Sequence, residues 1–205
     1  MRYGAGRKEE TRAKILKAAG KVFRRHGYHA SGVDKVMEEA GLTAGGFYAH
    51  FASKEALFAA MLAPTAAETP AALQPDRSDA TDREWVEAFL ESYLSASHRD
   101  RPEDGCPLPA LVSEIARAAG PVKASFQEIV RGLAARIERS VGGSEDRALA
   151  IVALCVGGLG VARSVEDEAL GERILSACRD LAERSLADTD STSQPANRRK
   201  TKDVF

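Results

Sequence analysis

The chain has 205 residues, 44% hydrophobic and 29% charged, close to the average for a globular protein, which excludes a wholly disordered polypeptide. Its longest run without charge, Ala148–Ala162, is 15 residues, short of the roughly 18 that a membrane span wants, so no membrane partner is expected. The net charge of −1 hides a split: residues 1–63 carry 11 Lys/Arg against 6 Asp/Glu, whereas residues 64–190 carry 14 against 23. A basic end on an acidic body points the N-terminal part toward a polyanion.

Met1 is followed by Arg2, Arg7 and Lys8 with no apolar stretch behind them, so residues 1–8 read as a basic arm and no secretory signal is expected. Ile15, Leu16, Ala19, Val22 and Phe23 then share one helical face over Glu9–His26, which Gly27 ends. A second helix is predicted over Val33–Ala40, opened by Ser31 with Asp34 completing a capping box. Gly41-Leu42-Thr43 makes a tight turn, Thr43 caps a short helix over Ala44–His50, and Ser53 caps the next at Lys54. Pro64, Pro70 and Pro75 break the pattern.

Five longer helices follow, over about Asp82–His98, Leu108–Ala119, Val122–Ser140, Glu145–Ser164 and Glu168–Leu186. No strand alternation is seen, so the fold class is all-α. Residues 187–205 read as a disordered basic tail. Four segments result: the arm 1–8, a helix-turn-helix unit 9–63, a helical body 64–186, and the tail. Three cysteines without a CxxC pair suit a reducing cytoplasm, and the four histidines offer no metal spacing. Neither a metal nor another cofactor is expected.

Two short helices across a turn that begins with glycine form a helix-turn-helix, whose second helix enters the major groove. Val36, Met37, Leu42, Phe47 and Phe51 are placed to close a core with Ile15, Val22 and Phe23, leaving Thr43, Ala44, Gly45, Tyr48 and His50 outward. Periodicity alone also permits an ordinary helical hairpin.

The residues themselves go further. Gly27-Tyr28-x-x-Ser31-x-Val33-Asp34-x-Val36, then Ala40-Gly41-Leu42-Thr43-x-Gly45-Gly46-Phe47-Tyr48-x-His50-Phe51-x-Ser53-Lys54-Glu55-x-Leu57, resembles the DNA-binding domain of the TetR family of transcriptional regulators from about Thr11 to Met61. The resemblance implies DNA-contact roles for Ser31, Thr43, Ala44, Gly45, Gly46, Tyr48, His50 and Lys54, with Lys54 meeting a phosphate at a helix N-terminus. It further implies that residues 64–186 bind a small-molecule inducer and dimerise. The function expected is a ligand-responsive repressor on a palindromic double-stranded operator. Ala44-Gly45-Gly46 departs from the longer side chains of many relatives, leaving base readout thin.

In the body, Gly157-Gly158-x-Gly160 would let another helix approach closely, within one protomer or between two, and the resemblance, with its interface built from the last two helices of each protomer, implies 145–164 and 168–186 as the homodimer helices. Trp85, Phe89, Tyr93, Leu108, Leu111, Phe126 and Ile129 are candidate pocket walls, although an aromatic stripe at helical spacing is more often core. Gly105-Cys106-Pro107-Leu108 resembles the opening of the sixth helix in one branch of the family, where some members sense electrophiles or oxidants. Cys106 is therefore a candidate redox sensor, with its thiol pKa lowered by the helix terminus. Enzymatic alternatives, Cys106 with His98 or the carboxylates Glu103, Asp104 and Glu114, would leave the basic helix-turn-helix unexplained. The thin Ala44-Gly45-Gly46 edge keeps a helical interaction protein without DNA binding as a further alternative.

Overall fold

The computed structural model describes residues 3–63 and 81–187, and among these every regular element is helical. The expected proline break over residues 64–80, the C-terminal tail and Arg2 lie outside the described residues.

Helix α1 runs Tyr3–His26, starting before the expected Glu9, so Arg7 and Lys8 are exposed on a helix rather than in an arm. Ile15, Ala18, Ala19, Val22 and Phe23 are buried along it. Gly27 ends it in a left-handed conformation (φ +82), donating to the Phe23 carbonyl at 2.8 Å. Helix α2 (Val33–Glu39) is preceded by Gly32, with no side-chain cap. The expected Ser31–Asp34 capping box does not form, because Ser31 is buried and its hydroxyl donates backward to the Gly27 carbonyl at 2.7 Å.

Ala44–Ala49 winds as a 3₁₀ turn instead of the expected α-helix. Two adjacent glycines supply little α-helical preference to so short a segment. Helix α3 (Lys54–Leu62) starts as expected, with the Ser53 hydroxyl accepting from the Ala56 N–H at 3.0 Å.

The helix expected over Asp82–His98 is two, α4 (Asp82–Tyr93) and α5 (Ala96–Asp100). Thr81 and Glu84 close a full capping box on α4. The break comes at Leu94–Ser95, where Ser95 Oγ donates to the Ser92 carbonyl and accepts from the His98 N–H. The His98 ring also turns back, placing Nδ1 2.8 Å from the Tyr93 carbonyl. Helices α6 (Leu108–Arg117), α7 (Gly120–Glu138), α8 (Glu145–Arg163) and α9 (Glu168–Ala187) follow, each close to its expected range. A 3₁₀ turn, Arg139–Val141, ends α7.

One apolar core joins both parts of the chain. Helix α7 packs on α3 and α8, α6 leans on α1, and α8 pairs with α9. Among the described residues no helix is long and apolar enough to cross a membrane. The three glycines of α8 face different ways. A methyl at Gly158 would meet Cys178 Sγ of α9 at 2.6 Å, and one at Gly160 would meet the Pro109 carbonyl of α6 at 3.5 Å, while Gly157 opens onto empty space. The close helix approach expected at Gly158 is thus made within the chain.

Candidate nucleic-acid interface

Phe47 and Phe51 point inward from the 3₁₀ turn and its exit, stacked with centroids 5.8 Å apart beside Met37 and Val36. With these two rings committed to the core, the turn presents Tyr48 to solvent at 73% exposure, together with Thr43, Ala44 and Gly45. Gly46 and His50 are half-buried. The Thr43 hydroxyl caps nothing in the helix it precedes.

The rest of the frame holds this edge from behind. Arg12 of α1 donates from Nη1 to the His50 carbonyl at 2.7 Å and lays its guanidinium 4.1 Å from the Phe51 ring centre. Such a contact stabilises a terminus with few backbone bonds of its own. His50 Nδ1 is buried without a hydrogen-bond partner. Lys54 opens α3 with its ammonium 4.2 Å above the Tyr28 ring, and partial burial there lowers its pKa. Thr43 and Tyr48 are exposed polar groups and the half-buried Lys54 opens a helix N-terminus, chemistry suited to phosphate oxygens. Ser31 is buried and holds backbone, so it offers no group to that edge.

The body departs from expectation in two places. Trp85, Phe89, Tyr93, Leu108, Leu111 and Ile129 are buried core, Trp85 stacked on Phe89 at 5.1 Å. Phe126, another of the candidate walls, borders an open groove of about 690 Å³ between α6, α7 and α8 with Val112, Ile115, Val130 and Leu149. Lys123, Arg131 and Glu145 also line it.

The second departure is Cys106, which is buried, and burial raises its thiol pKa where a lowered one was expected. Desolvation outweighs the helix terminus and the nearby Arg24 and Arg163. The Tyr93 hydroxyl faces this thiol with no nitrogen or oxygen partner. Cys106 N–H donates to His98 Nε2 at 3.0 Å, which with the Tyr93 carbonyl fixes His98 as its neutral Nδ1–H tautomer. Burial pushes the pKa of His98 down to about 4.

Glu103 and Glu114, weighed from sequence only as catalytic carboxylates, instead tie the two parts of the chain together. Arg24 of α1 donates to the Glu103 carbonyl from Nε at 3.0 Å and also from Nη2. Arg25 meets the Glu103 carboxylate at 3.5 Å. The basic last turn of α1 was legible as a helix-terminus signal, but its partners lie some eighty positions away. Among the described residues no group of His, Cys, Asp and Glu could hold a metal ion.

Residues 15–61 match the model for bacterial regulatory proteins of the tetR family, and residues 83–177 match the tetracyclin repressor-like C-terminal domain. The chain is 28% identical over 153 residues to the HTH-type transcriptional regulator LmrA of Bacillus subtilis, covering 72% of this chain and 79% of that protein. It is 31% identical over 94 residues to the HTH-type transcriptional activator FasR of Mycolicibacterium smegmatis, 45% of this chain and 43% of that one. Its fold resembles that of Escherichia coli NemR in the reduced form, with a TM-score of 0.70 at 19% identity over 85% of this chain and 96% of NemR. A TetR-family regulator from Streptomyces coelicolor gives 0.64 at 22% identity, covering 88% and 96% of the two chains.

Proposed function

Because the chain belongs to the tetR family of bacterial regulatory proteins, a family of DNA-binding transcriptional regulators rather than enzymes, we propose that it is a cytoplasmic, homodimeric repressor released from a palindromic operator by a small molecule. The observation that carries the reading is the exposure of Thr43 and Tyr48 on a buried aromatic frame, with Lys54 at a helix N-terminus, at the basic end of an acidic chain. Ala44, Gly45 and Gly46 let backbone approach the groove, and Thr43, Tyr48, His50 and Lys54 meet the duplex. Phosphates then supply most of the affinity, and DNA shape a share of the selectivity.

Dimerisation uses 145–164 and 168–186. An unpartnered strip supports it: Ala153, Gly157 and Val161 on α8, with Leu170, Ala177 and Leu181 on α9, are all exposed. A dimer sets two recognition segments one helical turn of DNA apart. The inducer engages the groove beside Phe126, whose mostly apolar walls suit an apolar molecule. Burial of Cys106 weighs against a thiol switch, so reversible binding is the favoured mode of release. Selecting duplexes from a random pool should return an inverted repeat, bound less tightly as salt rises. Failure to enrich any duplex refutes the reading.

A further inference from the structure

Glu114 lies on α6, in the body, yet both of its carboxylate oxygens serve the N-terminal unit. Oε2 accepts from the Tyr28 N–H and Oε1 from the His29 N–H, each at 2.8 Å. Two charge-assisted bonds to successive amides fix that turn in one orientation. Gly27 precedes these amides in the left-handed conformation (φ +82) that turns the chain toward Glu114, and a methyl there would meet Glu114 Oε1 in ordinary contact at 3.4 Å.

The captured turn carries Tyr28. Its ring stacks on Phe58 of α3, with centroids 4.3 Å apart and planes 15° from parallel, and meets Phe23 edge-on at 5.4 Å. The Lys54 ammonium rests over the other part of this cluster, 4.2 Å from the Tyr28 centroid. Among the described residues no carboxylate lies within ion-pair distance of that ammonium. The ring seats the ammonium, the turn that Glu114 holds places the ring, and the Glu114 charge also favours the ammonium directly.

We propose that Glu114 is a positioning residue for DNA binding: it fixes the Tyr28 turn, and Tyr28 seats the Lys54 ammonium where a backbone phosphate docks. The inference rests on the reading of Lys54 as a phosphate contact. It also accounts for an acidic side chain close to the DNA-facing unit, where a negative charge would otherwise only repel the duplex.

The test is the salt dependence of binding to a random-sequence duplex by the full chain. Lys54→Ala should lower the log–log slope by about one, the signature of one lost phosphate contact. Glu114→Gln, which keeps the size and one acceptor, should lower it by a similar amount, and the double variant by no more than either alone. Tyr28→Leu removes the seat but leaves the carboxylate clamp, and should behave likewise. A merely structural role for Glu114 would change the fraction folded and leave the slope intact. If Glu114→Gln keeps or steepens the slope while Lys54→Ala lowers it, the positioning role is wrong. If Lys54→Ala itself changes nothing, the phosphate reading of Lys54 fails first and this inference falls with it.

Discussion

Glycine does opposite work at the two ends of this molecule. At the 3₁₀ turn proposed to meet DNA, Gly45 has open space around it, and a methyl at Gly46 would find only Met37 Cε at 3.8 Å. In the body, a methyl at Gly105 would overlap the His98 ring, and one at Gly158 would press on Cys178. As text all four are simply glycines, Gly105 in a loop before a helix and the others within helical patterns. The first two are small because nothing in the protein needs to touch them; the last two because something already does. Substitution should therefore separate them.

The largest effect is expected at Gly105→Ala. The methyl would collide with a buried ring held on both nitrogens, and overpacking of that kind costs ~3 kcal/mol, readable as a shift in the urea midpoint. An unchanged midpoint would mean that the confined end is as pliable as the open one. Next comes the ring itself. The folded pKa of His98, about 4, lies below its unfolded value of 6.5, so its contribution is whole above pH 6.5 and drains as pH falls toward 4. The loss should reach about 3 kcal/mol across that window, and His98→Gln should lack it.

Gly158→Ala should cost less, ~1–2 kcal/mol, because a cysteine side chain can rotate away. Adding Cys178→Ala should recover part of the loss, and strict additivity would place the strain elsewhere. Gly45→Ala sits at the other pole. It should gain up to about 1 kcal/mol in stability from helical preference while weakening binding to the selected duplex. A gain in both would show that backbone approach at Gly45 is not used.

Local signals in the sequence were enough for the helices whose ends carry caps: Ser53 starts α3 and Gly27 stops α1 as their chemistry requires. The frame of Phe47, Phe51, Val36 and Met37 was equally legible, since inward positions follow the helical period. What stayed hidden depends on distant partners. Nothing near Ser95 announces that His98 will turn back to the Tyr93 carbonyl and split one helix into two. The position of Cys106 at a helix start suggested a lowered pKa, but its burial depends on Tyr93 and on Cys155 of α8, residues remote in the chain. Glu114 was visible only as one scattered carboxylate, because its partners are backbone amides, which leave no mark in a sequence.

The ties from Arg24 to Glu103 and from the Tyr28 turn to Glu114 also bear on how this protein could be re-engineered. A chimera cut between α3 and α4, grafting this DNA-reading module onto a relative's effector body, would carry donors whose acceptors were left behind. The cassette that can be exchanged is larger than the helix-turn-helix: it needs a glutamate on the sixth helix and a carbonyl where Glu103 stands. Regulators assembled without those two sockets should hold the Tyr28 turn loosely and bind DNA with a shallower salt dependence than the parent.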